Sequence, residues 1–229
     1  MTKFKKRIVL TALLLALMIS GGSSAESATL ELMGYGWNKT GVTVAIKPAG
    51  AVTEEAVRDV MTAINDWNLI LDEVGGPLLD VVPDVRDADI VIQLKAGEGS
   101  VLGYTLVKAT KGYSCILEKA SIHISGKALG SRLSYAGIRN VARHEIGHAL
   151  GIGHSDDGND VMFFVMNSSE IWGDKEKMIT DNDATALATI YPLPGFCELP
   201  ESVKTGNSAL YVAETASGSH FPGTGSPDR

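Results

Sequence analysis

The chain has 229 residues, of which 45% are hydrophobic and 21% are charged, values typical of a globular protein. Its formal net charge of −7 excludes the basic footprint that nucleic-acid binding requires, and nothing in the composition favours an anionic membrane surface. These properties predict a globular protein without nucleic-acid or membrane partners.

The first 25 residues have the layout of a secretory signal peptide. Four basic residues between positions 3 and 7 precede an apolar run from Ile8 to Ile19, and small residues lead to Ala25. Cleavage after Ala25 predicts a secreted or extracytoplasmic chain of about 204 residues (229 − 25), which is enough for one domain. An uncleaved anchor is the alternative, although a membrane span needs about 20 apolar residues.

The region from residue 40 to residue 150 has the patterns of a mixed fold. Apolar residues alternate over Val42–Ile46, which predicts a strand. Thr53 is placed to cap a helix that ends before Gly75–Pro77, and Ser134 to cap a second helix that reaches Leu150. Further strands are predicted at 90–94, 104–108 and 121–125. This order predicts an α+β fold with helices on one side of a sheet, and regular structure is expected to end at residue 151.

The second helix carries the most informative motif, which places three of the five histidines of the chain within eleven residues. In a helix, His144 and His148 project from the same face and can bind one metal ion, while Glu145 can reach a water held on that metal. Gly151 can adopt the left-handed conformation that ends a helix, which would bring His154 back as a third ligand. Three imidazoles and an adjacent carboxylate are typical of a catalytic zinc site.

The spacing His144-Glu145-x-x-His148-x-x-Gly151-x-x-His154 resembles the zinc signature of the metzincin metallopeptidases. Three further matches resemble the matrixin branch, which includes the matrix metalloproteinases: the serine directly after the third histidine, a methionine eight residues past that histidine, and a closing helix. These matches lie at Ser155, Met162 and 179–191. Residues 88–92 resemble a strand of the matrixin sheet, so the resemblance covers residues 35–194.

The resemblance implies a zincin-like fold, in which a twisted mixed sheet and an active-site helix precede a smaller C-terminal subdomain with the Met-turn and the closing helix. It implies an endopeptidase of protein or peptide substrates, in which a zinc-bound water attacks the peptide bond with Glu145 as general base. One zinc would be bound by His144, His148 and His154. Met162, or Met166 as a second candidate, would form an apolar floor beneath the imidazoles.

The predicted organisation is a signal peptide (1–25), a catalytic domain (30–194, with the zinc helix at about 134–151) and a flexible tail (195–229) rich in Ser, Gly, Thr and Pro. A monomer is expected. Cys115 and Cys197 are predicted to form a disulfide, because an exported chain with an even cysteine count favours one. The alternative is two thiols, one of which binds the zinc.

Several alternatives stay open. The acidic turn 156–160 can bind calcium or be a plain solvated turn, and it lacks the spacing of an EF-hand. In another peptidase class Glu170 would be the third ligand, although such a site requires neither Gly151 nor His154. An exported metal-binding or inactive peptidase-like module is the non-enzymatic reading, which the intact Glu145 opposes. His123 is expected to be an ordinary strand residue, since a lone imidazole cannot hold zinc.

Overall fold

The main sheet is mixed and has seven strands among the described residues. A computed structural model describes residues 29–50, 52–95 and 99–191, together with the backbone of 209–212. The strands of this sheet are β2 (Gly41–Ala49), β3 (Leu78–Val81), β4 (Ile90–Lys95), β5 (Val101–Thr110), β6 (Tyr113–Ser125), β10 (Val165–Met166) and β11 (Ala209–Val212). Five of them form the body of the sheet in the order β5-β6-β4-β2-β3, and two short strands extend it beyond β5 in the order β10-β11-β5.

Strand direction changes at β5. Strands β3, β2, β4 and β6 are parallel to one another, whereas β5 runs antiparallel to β6 and β11 runs antiparallel to β5. Two small two-stranded sheets lie outside the main sheet: β1 (Leu30–Leu32) with β9 (Ile152–Ser155), and β7 (Lys127–Ala128) with β8 (Ser131–Arg132).

Four helices are present in the described part of the chain: α1 (Glu54–Val74), α2 (Tyr135–Ala149), α3 (Ser168–Ile171) and α4 (Asp181–Ile190). The first begins at Thr53, whose side chain accepts a hydrogen bond from the amide of Ala56, and ends at Gly75 in the left-handed conformation. Thr180 and Asp183 form a capping box at the start of α4. These helix starts agree with the sequence predictions.

The core lies between the sheet and the two long helices. Alternate residues of β4, namely Ile90, Ile92 and Leu94, are almost fully buried, and the helix α1 inserts Trp67 with no exposed surface. Apolar residues of α2 join the same cluster. The predicted α+β architecture is therefore confirmed, with α2 packed against the sheet and against α1.

Two features differ from the predictions. Regular structure does not end at residue 151, because β9 follows at once and pairs with β1. Its partner strand lies more than 100 residues away in the sequence, so no local pattern could indicate the pairing. In addition, Ala209–Val212 forms strand β11 within the segment predicted to be a flexible tail. The predicted signal peptide and Cys197 lie outside the described residues.

Candidate metal centre

Helix α2 is buried along nearly its whole length, and both of its ends are held by side chains. At the start, the hydroxyl of Ser134 accepts a hydrogen bond from the amide of Gly137 at 2.9 Å and donates one to the carbonyl of Ile171 at 3.1 Å. The side chain of Asn140 donates to the carbonyls of Glu170 and Lys175, which ties the following loop to the helix. The helix that carries the motif is thereby fixed against the second half of the domain.

The last carbonyls of α2 would have no partner inside the helix, and three aromatic side chains supply the missing donors. Successive carbonyls from His148 to Leu150 accept hydrogen bonds from Tyr35 (3.1 Å), Trp37 (2.8 Å) and Tyr191 (3.1 Å). All three donors are buried. They orient the backbone that carries the second histidine of the motif, and the sequence analysis did not identify them.

Gly151 follows the helix with a φ of 103°, a conformation that favours glycine. A side chain at this position would also collide with the carbonyl oxygen of Tyr35. The chain then enters β9, where Ile152 pairs with Leu32. Strand β9 contains His154 and places it next to the two helical histidines.

The three histidines of the motif converge. One ring nitrogen from each of His144, His148 and His154 lies within 4.8 Å of the others, and in the described part of the chain they are the one such group of three or more metal-binding side chains. The Nδ1 atom of His144 donates to the carbonyl of Val161, and that of His148 to the carbonyl of Ile152, both at 2.8 Å. A carbonyl only accepts, so the proton stays on Nδ1 and the Nε2 lone pair is left for a metal.

The Nε2 atoms of all three histidines are buried and have no hydrogen-bond partner among the described residues. Burial, followed by the neighbouring imidazoles, lowers the pKa of His144 well below its usual value and that of His148 to about 3. Burial also lowers the pKa of His154 to about 4. Three neutral, converging and unpartnered imidazoles fit the donor set that zinc prefers.

Glu145 lies beside this cluster with no exposed surface. Its Oε2 accepts a hydrogen bond from the hydroxyl of Thr105 at 2.7 Å, while its Oε1 has no partner among the described residues. Burial raises the pKa of Glu145 well above its usual value, and the hydrogen bond from Thr105 opposes that shift. A Cβ on Gly103 would stand only 2.7 Å from Oε1, so β5 runs directly along the carboxylate.

Met162 is fully buried and packs against Gly147, where any side chain would collide with the Met162 sulfur. Gly147 lies between the two helical histidines in α2, and the carbonyl that precedes Met162 is the one that accepts from His144. Met166, the second candidate, is buried in β10. The role of Met162 as a floor beneath the imidazoles stays a prediction.

Two other sequence candidates lie away from the cluster. Glu170 is buried at the start of α3, where it accepts from the amide of Asn167 and from the ammonium of Lys175. The first of these contacts completes a capping box, and Glu170 is not part of the histidine cluster. His123 lies on β6 and stacks on Tyr104, with 4.4 Å between the ring centroids.

The acidic turn 156–160 is stabilised by hydrogen bonds of its own. Asp157 accepts from the amide and side chain of Asn159, and Asp160 accepts from the hydroxyl of Ser155 at 2.6 Å. The ammonium of Lys177 donates to the carbonyls of Gly158 and Asp160. Calcium binding at this turn stays an untested prediction.

The family comparison agrees with this geometry. A model of the matrixin family matches residues 36–192, which is more than half of the chain. The chain belongs to the matrixin family. This matrixin is 28% identical to metalloendoproteinase 1-MMP of Arabidopsis thaliana in an alignment 190 residues long that covers 74% of this chain and 50% of that protein. The chain thus spans about half the length of this curated relative.

The matched region begins just before Trp37 and ends just after Tyr191, so it includes two of the three aromatic donors at the end of α2. It also includes the histidine cluster and Glu145. Strand β11 lies beyond it. Among the described residues, no helix is long and apolar enough to cross a membrane.

Proposed function

We propose that this matrixin is an exported zinc-dependent endopeptidase that binds one catalytic zinc through His144, His148 and His154. One observation carries the proposal: among the described residues, three buried Nε2 lone pairs converge without hydrogen-bond partners, and a buried carboxylate oxygen of the same motif also has none. Polar atoms so deeply buried cost free energy unless something satisfies them. A zinc ion held there would supply Lewis acidity toward a peptide carbonyl and would make water more acidic.

The protein groups supply positioning and proton transfer. Thr105 holds Oε2 of Glu145, and Oε1, which has no hydrogen-bond partner among the described residues, is the proposed general base. Oε1 takes a proton from the attacking water, the water oxygen bonds to the peptide carbon, and the carbon–nitrogen bond breaks. Glu145 then returns the proton to the departing amine, so that atoms and charge balance. The hydrogen bonds of His144 and His148 to backbone carbonyls keep both rings oriented throughout.

The proposed substrates are proteins or peptides, in keeping with the matrixin family. Export is supported by the basic, apolar and small-residue layout of residues 1–25, and we propose cleavage after Ala25. We further propose a catalytic domain over residues 30–194 and the disulfide between Cys115 and Cys197. The alternative function, an exported metal-binding module without catalysis, uses the same three histidines and differs only in giving Glu145 no chemical task.

The test is digestion of a mixed peptide pool by the purified chain, with zinc measured on the same sample. We expect about one zinc per chain, new peptide termini, and loss of both when a chelator is added. His154→Ala should lose most of its zinc because one of three protein ligands is gone. The control is His123→Ala, which removes a histidine outside the cluster and should keep the zinc. Unchanged zinc content in His154→Ala would refute the ligand assignment.

A further inference from the structure

Strand β11 pairs on its two sides with strands that adjoin residues of the candidate metal centre, and this position links the C-terminal segment to the proposed activity. Its residues pair antiparallel with β5, so that Leu210 stands opposite Gly103 and Ala209 opposite Tyr104. Gly103 is the residue that packs against Oε1 of Glu145, and Thr105, two positions further along β5, is bonded to the other oxygen. The backbone of β11 therefore runs beside the stretch of β5 that borders the general base.

The other edge of β11 faces the strand that follows Phe164, a neighbour of the third histidine. It pairs in parallel with β10, with Val165 opposite Tyr211 and Met166 opposite Val212. Strand β10 begins directly after Phe164, whose ring centroid lies 5.8 Å from that of His154. Strand β11 also contacts α2 itself. It thus lies between a strand that borders Glu145 and a strand that follows a neighbour of His154.

Without β11, the edges of β5 and β10 would face each other across a slot one strand wide. Neighbouring strands lie about 4.8 Å apart, so two strands flanking a third are separated by roughly twice that distance. Both edges would present unpaired backbone donors and acceptors, which is the arrangement that binds an extended peptide by strand addition. A peptide substrate and Ala209–Val212 would compete for the same backbone groups.

We propose that Ala209–Val212 is a built-in competitive inhibitor, which occupies the peptide-binding slot between β5 and β10 and must leave before a substrate enters. The inhibitory segment belongs to the chain beyond the matrixin match, which ends at residue 192. This inference rests on the proposed peptidase function for its kinetic consequence, but the docking of the strand is separate from catalysis. A tethered segment acts at an effective concentration on the order of mM, so even a weakly binding strand excludes dilute substrate.

The test uses the full chain with proline substitutions. Leu210→Pro removes a backbone amide and places in the strand a residue that sheet pairing disfavours, without shortening the chain. The matched control is Ser217→Pro, five residues past the strand. For a short peptide substrate we expect Leu210→Pro to lower KM on the order of 10-fold with kcat unchanged, because a tethered competitor raises KM alone. Intact mass is checked at the end of each assay.

A second measurement does not depend on activity. In zinc-free chains that also carry Glu145→Gln, amide hydrogen exchange at residues 101–104 should be faster in the Leu210→Pro form than in the Ser217→Pro form. The part of β5 at 106–108, which pairs with β6, should exchange equally in both. A synthetic peptide of residues 207–214 should inhibit the Leu210→Pro enzyme competitively.

If the Leu210→Pro and Ser217→Pro chains have equal KM values and equal rates of amide hydrogen exchange at residues 101–104, the proposal is overturned. If no form of the chain hydrolyses peptides, the proposed function fails, and the exchange comparison by itself decides whether the strand docks in the slot. Faster exchange in Leu210→Pro would then support the docking, and unchanged exchange would refute it.

Discussion

Arg143 links the zinc helix to its surroundings through a buried charge, and its removal should weaken the fold severely. The side chain is 2% exposed and contacts three partners from two other segments. Its Nε donates to Asp66 of α1 at 2.8 Å, and its remaining nitrogens donate to Glu176 at 2.9 Å and to the carbonyl of Lys177 at 2.9 Å. Truncation would remove these bonds from two carboxylates and a carbonyl, and Glu176 would keep its bond from Arg139.

We expect Arg143→Ala to lower the free energy of unfolding by about 3–5 kcal/mol, the range for breaking a buried ion pair by removing one partner. The exposed arginine Arg58 gives a matched control, since it also lies in a helix and bonds to Glu55 at 2.8 Å while remaining 62% exposed. Arg58→Ala should change stability by less than about 1 kcal/mol, because surface pairs contribute little. Both substitutions remove the same side chain, so intrinsic helix propensity cancels in the comparison.

Urea unfolding of both variants and the parent measures the difference. Zinc binding itself stabilises the folded state, so the series is run once with excess zinc and once with a chelator. The gap between the two arginine variants should persist in both conditions, and in high salt, because Arg143 is shielded from solvent. Midpoints for Arg143→Ala and Arg58→Ala that differ by less than the equivalent of about 1 kcal/mol would refute this account of the helix.

Three further predictions concern stability and thiols. Trp37→Phe should lower the free energy of unfolding by about 1–3 kcal/mol, because the buried carbonyl of Ala149 loses its donor. Trp172→Phe should lower it by less, because the indole nitrogen of Trp172 has no partner among the described residues. Thermal melts compare the two variants. Burial raises the pKa of Asp183 to about 6, so this carboxyl should contribute about 2 kcal/mol less stability at pH 7 than at pH 4. In parallel denaturant titrations without zinc, the free energy of unfolding of the parent relative to that of Asp183→Asn should fall by this amount between the two pH values. Thiol titration of denatured, unreduced protein should find neither Cys115 nor Cys197 free. A disulfide that closes a loop of about 80 residues would contribute roughly 4 kcal/mol to the free energy of unfolding. Two free thiols would contradict the proposed disulfide.

Local chemistry made much of the site predictable. The caps at Thr53 and Ser134 depend on neighbours within three residues, and both are confirmed. The i, i+4 spacing of His144 and His148 likewise places both side chains on the same face of any α-helix. These features need no knowledge of the tertiary structure.

The features that hold the site in place depend on distant parts of the chain. Trp37 reaches the end of α2 across 112 residues, and Thr105 reaches Glu145 across 40. No local sequence pattern around a tryptophan or a threonine predicts such a contact, because the contact depends on how the sheet and the helices pack. Strand β11 is similar: four apolar residues within a polar tail become a strand only where the edges of β5 and β10 provide partners.

The central claim is that Glu145 moves the proton in peptide hydrolysis, and Glu145→Gln tests it most directly. The amide has nearly the same shape and can still accept from Thr105, but it cannot take a proton from water. Zinc content and peptide hydrolysis are measured on the same preparation of the variant. We expect zinc at the parental level and hydrolysis reduced by about 10²–10⁴-fold, the usual contribution of a general base. A variant that keeps its zinc and cleaves peptides at nearly the parental rate would contradict the proposed mechanism.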